Sequence, residues 1–243
     1  MARDLHLGCA DSLKFVVSIG INKWSKRQSV ICVEGFRLPV RWNRIDAYVV
    51  HEVMCSVYSV RSTPSRILDL GSNIGAAAVY FAKRWPQATI ACVEPQAENL
   101  AVLKRTIGLN NLRAVIFPVA VAVQDGTEDL FVDLGDPSSS TLLGNPRWER
   151  RSVSALSVPT LMEKMGWNWI DLLKTDIEGY EAQLFSRRSE WLKNVSEIAG
   201  EVHHGYRTRT LREDLGRHGF SVEILSRNQQ SGMRVFHATK DLA

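Results

Sequence analysis

The sequence predicts an α/β fold: a doubly wound, mostly parallel seven-stranded sheet that ends in an antiparallel hairpin. Three observations predict it. From Arg66 onward, short apolar runs alternate with stretches of helical period. The run Arg66-Ile-Leu-Asp-Leu-Gly-Ser-Asn-Ile-Gly75 reads as a buried strand, a glycine turn and a helix start. The last two apolar runs, Ser221–Leu225 and Met233–Ala238, are linked only by the polar turn Arg227–Gly232, so they must be antiparallel.

Residues 1–61 form an N-terminal extension. Extended stretches at Ser29–Val33 and Phe36–Val40, split by Glu34-Gly35, predict a small hairpin. Asp46 reads as the N-cap of a helix that presents Ala47, Val50, Met54, Val57 and Tyr58, a possible lid. The main domain, 62–243, opens with strand Ile67–Leu70. Its first helix buries Val79, Phe81, Ala82 and Trp85 and stops before Pro86. Thr89–Val93 is the second strand. Leu100, Leu103 and Ile107 mark a helix that ends near Gly108, and Ala114–Phe117 is the third strand.

Residues 124–158 interrupt this order. Asp129–Asp133 and Ser152–Val158 alternate like strands around the polar loop Gly135–Asn145, which predicts an inserted hairpin with a long, functional loop. A helix begins at Pro159, which suits its first turn. Ile170–Lys174 and Glu197–His203 supply the fourth and fifth parallel strands, and a helix carrying Leu211 and Leu215 ends at Gly219. With the terminal hairpin, this is the arrangement of a Rossmann-like class I methyltransferase fold; dehydrogenases usually lack that hairpin.

The glycine turn narrows the cofactor. A dinucleotide fingerprint wants glycines at 71, 73 and 76, but here Asn73 and Ala76 break it. Asp69 stands two places before Gly71, and Glu94 follows the second strand, where a carboxylate can accept from both ribose hydroxyls. A negative side chain beside the site suits a cationic ligand without phosphate, and S-adenosylmethionine fits. The bland alternative is that Gly71 and Gly75 only make a tight turn.

Composition agrees with an ordinary globular protein of 243 residues, 45% hydrophobic and 23% charged, with a net charge of +4. No basic block resembles a nucleic-acid arm, and Lys23–Arg27 and Arg147–Arg151 read as solvated surface. The apolar run Phe15–Ile21 is too short to span a bilayer, and no secretion signal is expected. Cys9, Cys32, Cys55 and Cys92 lack zinc spacing and read as reduced thiols of a cytoplasmic protein.

The chain resembles the FkbM-type methyltransferase family. The matching residues are Ile67-Leu-Asp-Leu-Gly-Ser-Asn-Ile-Gly75 and Glu94-Pro95 with Asn99. They continue through Ser138-Ser-Ser140, Val158-Pro-Thr-Leu161, Asp171-Leu-Leu-Lys-Thr-Asp-Ile-Glu-Gly-Tyr-Glu181 and Glu201-Val-His203. Lys-x-Asp-x-Glu-Gly is the most specific piece. The resemblance implies methylation of a hydroxyl on a sugar, glycolipid or polyketide-type natural product. Ser72, where the family often has Ala, and His204 are local departures.

On this reading Asp69, Gly71, Ser72, Asn73, Gly75, Glu94, Asn99 and Asp176 bind the cofactor. Asp176, Glu178 and His203 gather at the ligand-facing edge, with His203 as general base. Alternatively Asp176, Glu178 and Glu201 hold a Mg²⁺ that acidifies the hydroxyl. A structural role as helix cap, or a Glu178–Lys174 ion pair, competes for the two carboxylates. Trp148 is the candidate sugar-stacking ring, while Trp167 and Trp169 read as packing. No adjacent prolines and no Pro-Cys pair are present, which argues against a nucleic-acid methyltransferase. A non-catalytic module that binds the cofactor shares all of these features. The expected partner is a small-molecule or glycan acceptor, with no nucleic acid and no transmembrane segment.

Overall fold

The computed structural model describes residues 29–33, 35–41, 44–54, 58–133, 140–203, 205–227 and 234–240. The run 15–21, the cluster 23–27, Cys9, Cys55, Val57, Ser138, Ser139, His204, the turn 228–232 and the side chain of Ala47 lie outside them. In chain order the elements begin with β1 (Ser29–Val33), β2 (Phe36–Val40), α1 (Arg44–Met54), β3 (Arg66–Leu70) and α2 (Ala76–Arg84). Next come β4 (Thr89–Val93), α3 (Ala97–Asn110), β5 (Ala114–Phe117), β6 (Ala120–Val121), β7 (Gly126–Val132), β8 (Ser140–Thr141) and β9 (Glu149–Leu156). The rest are α4 (Val158–Met165), β10 (Ile170–Thr175), α5 (Glu181–Ser186), a 3₁₀ turn (Ser189–Asn194), β11 (Val195–Val202), α6 (Thr208–Gly216), β12 (Phe220–Arg227) and β13 (Arg234–Lys240).

Seven strands form the main sheet in the order β12-β13-β11-β10-β3-β4-β5. All pairs are parallel except those of β13, which inserts between β11 and β12 and runs against both. The fold class expected from the sequence is therefore present. The chain order reverses between β3 and β10, which opens a crevice at their C-terminal ends.

Period-two alternation sends the strand side chains to two cores. Ile67, Ile90, Leu172 and Ala199 pack with Val50, Phe81 and Leu103 from the α1–α3 layer. Leu68, Leu70, Leu173 and Ile198 pack with Leu161, Phe185 and Leu211 from the α4–α6 layer. The predicted hairpin pairs as β1–β2 and is tied to α3 by Asn110, whose side chain bonds both the backbone N and O of Arg37 at 2.8 Å.

Four details differ from the sequence reading. Asp46 lies inside the first turn of α1 and not before it; its carboxylate reaches back to the Arg41 backbone N at 2.7 Å and the guanidinium at 2.8 Å. Helix α3 passes Gly108 and stops at Asn111, which takes the left-handed conformation (φ 50°) usual for a helix terminator. Helix α4 starts at Val158, capped by Ser157 Oγ. The insertion is part of a four-stranded sheet, β6-β9-β7-β8, and not an isolated hairpin; two-residue strands such as β6 and β8 carry no periodicity to read. No helix among the described residues is long and apolar enough to cross a membrane.

The β10–β11 contact admits no side chain at Gly200. A Cβ there would stand 2.4 Å from Thr175 Cγ2 and 2.6 Å from Thr175 O. Gly200→Ala should cost about 1–3 kcal/mol. It should appear as a lower urea midpoint at unchanged slope.

Candidate functional site

The C-terminal edge of the sheet assembles the site through a ladder that runs one residue past each strand. Gly71 N and Ser72 N donate to Val93 O at 3.0 Å, Asp176 N to Leu70 O at 3.1 Å and Glu94 N to Phe117 O at 3.2 Å. Gly71 must be glycine here. Its φ is 77°, and a Cβ would overlap Asp176 O at 1.8 Å. The turn thus brings β3 and β10 close enough to set Asp176 beside it.

Beneath the turn lies a buried ion pair. Asp69 is 0% exposed, and its Oδ1 stands 3.2 Å from Lys174 Nζ. Lys174 also donates to Gly71 O at 2.6 Å and Leu70 O at 3.3 Å, with Asp176 Oδ2 3.9 Å away. Burial alone would drive this lysine to shed its proton; Asp69 and then Asp176 outweigh that and hold its pKa above the usual value. Ser72 Oγ donates to Asp69 O at 2.9 Å. A Cβ on Gly75 would crowd Leu103 at 2.8 Å. Asp69, Ser72 and Gly75 therefore stand behind the turn and shape it.

In front of the turn is an open cleft whose empty space, the solvent at its mouth included, is about 570 Å³. Gly71, Asn73, Glu94, Asn99, Asp176 and Glu178 are on its wall, and Val93, Val121, Leu130 and Leu142 form an apolar side. Glu94 is 4% exposed. Its carboxylate accepts from Asn73 N and Gln96 N at 2.9 Å and Asn99 Nδ2 at 3.3 Å. Burial raises its pKa, and those backbone donors only partly offset the effect. Asn73 Oδ1 and Asn99 Oδ1 are buried and accept nothing within the protein. Among the described residues, Lys and Arg are absent from the lining.

At one end of the cleft the ends of β10 and β11 converge with the start of α5. His203, just past β11, directs Nε2 to Asp176 Oδ1 at 3.6 Å and Glu178 Oε2 at 3.5 Å, and Nδ1 to Glu181 Oε1 at 3.1 Å. Glu181 opens α5, is 0% exposed, and also accepts from Ile177 N at 3.0 Å. Burial opposes a charged imidazole, but Glu181, Asp176 and Glu178 together push its pKa up to about 10. The insertion closes onto this loop: Thr141 Oγ1 donates to Glu178 O at 2.8 Å.

The structure thus brings Asp176, Glu178 and His203 together, as the sequence suggested. Glu201 does not join them. It lies buried on the α1–α3 side, where Tyr58 Oη donates to it at 3.4 Å, so the trio of Asp176, Glu178 and Glu201 is not assembled. Trp148 is not on the cleft wall. Trp169 Nε1 donates to Ser196 Oγ, and Trp167 packs in the core. Arg150 and Arg151 pair with Asp129, Glu98 and Glu149. Sequence reasoning missed Glu181 as a partner of His203. It stands two residues past the Lys-x-Asp-x-Glu-Gly motif, but nothing in linear spacing shows contact across 22 positions.

A profile of the methyltransferase FkbM domain matches residues 69–222, well over half of the chain. The chain belongs to the FkbM methyltransferase family. It is 25% identical over 196 residues to Methyltransferase sdnD of Sordaria araneosa, covering 66% of this chain and 73% of that protein. In fold it resembles the Methyltransferase FkbM of Methylobacillus flagellatus KT: TM-score 0.52, 12% identity, 76% of this chain and 46% of that one. This FkbM-family chain therefore spans less than half of that solved protein. The N-terminal domain of EvdMO1 with SAH bound is also similar: TM-score 0.51, 11% identity, 99% of this chain and all of that one.

His203 yields a stability prediction with a definite sign. Its pKa is about 6.5 when unfolded and about 10 when folded. A raised pKa stabilises fully below the unfolded value, and the benefit fades as pH climbs through the folded one. With a chelator present, the stability gap between wild type and His203→Gln should be widest at pH 6.5 and below. It should narrow steadily towards pH 10 in urea titrations.

Proposed function

We propose that this chain transfers a methyl group from S-adenosylmethionine to a hydroxyl on a sugar, glycolipid or polyketide-type natural product. The observation that carries the cofactor half is the cleft's charge: Glu94, Asp176 and Glu178 line it, and among the described residues no Lys or Arg does. That wall repels a pyrophosphate and attracts an ammonium and a sulfonium. The donor set fits as well. Glu94 would take the ribose hydroxyls, Val93, Val121, Leu130 and Leu142 the adenine, and the buried Oδ1 atoms of Asn73 and Asn99 would accept N–H groups. SAH bound in the similar EvdMO1 domain supports this choice.

When bound, the cofactor supplies a methyl group already activated by its cationic sulfur. The chain's task is alignment and exclusion of water. The ladder at Gly71 and Asp176 sets the cofactor wall, and Thr141 and Leu142 of the insertion cover it. The bound donor would supply its methyl to the acceptor oxygen, and the carboxylates of Asp176 and Glu178, beside a His203 that their charge keeps protonated, would take the hydroxyl proton. Asp176 is 30% exposed and belongs both to this cluster and to the cleft wall.

Calorimetric titration should show binding of S-adenosylmethionine and none of NAD⁺; the reverse would overturn the reading. Glu94→Ala removes a charge-assisted acceptor worth roughly 1.5–3 kcal/mol. Cofactor affinity should fall by about ten- to a hundredfold, and a shift below threefold would remove Glu94 from the site. Radiolabelled methyl transfer should appear on glycoside or polyketide hydroxyls and fall at least a hundredfold in Asp176→Asn. Cofactor binding without turnover on any hydroxyl would instead favour a non-catalytic module.

A further inference from the structure

We propose that Asp176, Glu178 and His203 form a binding site for a divalent transition cation of the Mn²⁺ or Zn²⁺ kind at the wall of the cleft. One ligand atom from each residue lies within 4.8 Å of the other two. His203 Nε2 is 3.6 Å from Asp176 Oδ1 and 3.5 Å from Glu178 Oε2. Donors that share one ion through bonds of about 2.0–2.2 Å sit roughly 3–3.5 Å apart, so His203 is already close to that spacing from each carboxylate, and the two carboxylates, within 4.8 Å of each other, close on the ion.

A second feature, outside the three ligands, points the same way. Glu181 is 0% exposed, and its Oε1 holds His203 Nδ1 at 3.1 Å. A metal-bound histidine characteristically gives its other ring N–H to a carboxylate, which fixes the tautomer and aims the free nitrogen at the ion. Glu181 Oε2 is buried and without a hydrogen-bond partner. This corner therefore concentrates three carboxylates around one imidazole. The nearest buried cation, Lys174, is spent on Asp69 and the carbonyls of Leu70 and Gly71.

The donor set selects the ion. An imidazole nitrogen among carboxylates favours Mn²⁺ or Zn²⁺ over Ca²⁺ and Mg²⁺, which prefer oxygen alone. Three protein ligands leave coordination positions open towards the cleft, where vicinal hydroxyls of a polyol acceptor can enter and become more acidic. That last step rests on the methyl-transfer reading; binding of the ion does not.

The test uses the 243-residue chain without cofactor or acceptor. Mn²⁺ is titrated while the paramagnetic resonance signal of the free ion is followed. One site per chain is expected, with affinity at least tenfold above that for competing Mg²⁺. Asp176→Asn and His203→Gln should each weaken Mn²⁺ at least tenfold. Glu181→Gln should do so by about ten- to a hundredfold. Glu178→Gln, at the most exposed of the ligands, guards against misfolding, and Glu201→Gln should leave binding intact. No saturable Mn²⁺ site up to millimolar ion, or a site indifferent to Asp176→Asn, His203→Gln and Glu178→Gln in folded protein, would overturn the proposal. Because S-adenosylmethionine is titrated separately, failure of either result leaves the other readable.

Discussion

A single buried ammonium organises the working edge of this protein. Lys174 Nζ bonds the carbonyls of Leu70 and Gly71, pairs with Asp69 and reaches towards Asp176. Burying a charge costs several kcal/mol unless the surroundings repay it. Here the repayment comes from groups that must all lie at the junction of β3 and β10. The same atom therefore fixes the glycine turn on one strand and the start of the acidic loop on the next. Its position is a consequence of the strand order, because only the reversal between β3 and β10 leaves two strand ends adjacent and uncovered.

Negative charge then accumulates in layers. Asp69 is neutralised behind the turn, whereas Glu94, Asp176 and Glu178 face the cleft. Glu94 is held in place by the backbone of Asn73 and Gln96. The backbone thus pre-arranges the carboxylate before any ligand arrives, which limits the ordering cost of binding. An apolar wall from Val121, Leu130 and Leu142 completes a site suited to a flat, cationic nucleoside.

The parts that look peripheral in the chain are tied into this edge. The lead-in to β3 crosses the sheet and is pinned by two carboxylates of β11: Glu197 accepts from Arg61 N and Ser62 N, and Glu201 accepts from Tyr58 Oη. His237 of β13 closes on Glu197 from the other strand. The insertion meets the acidic loop through Thr141 and packs Leu143 against Gly179. Gly179 has φ 100°, a conformation that disfavours any side chain, and a Cβ there would press on Leu143 Cδ1 at 2.9 Å, so the insertion packs directly on the loop that carries Asp176 and Glu178.

By itself the sequence determined the seven main strands and which of them run parallel. Period and punctuation are local properties, and Ile67–Leu70 with Gly71 or Ile170–Lys174 with Asp176 reveals them within a few positions. Some of the site was legible for the same reason: Glu94, Asp176 and His203 each follow a strand directly. What only the tertiary structure decided are pairings across long loops. Glu181 against His203, Thr141 against Glu178 and Lys174 beneath Gly71 all depend on how twist and packing superpose distant segments. Glu201 shows the same limit from the other side. Two places before His203, it shares that residue's side of the strand by simple alternation, yet it ends buried under Tyr58. The departure of the chain from its ladder at Val202 turned His203 towards the cleft, and no period in the sequence records where a strand lets go.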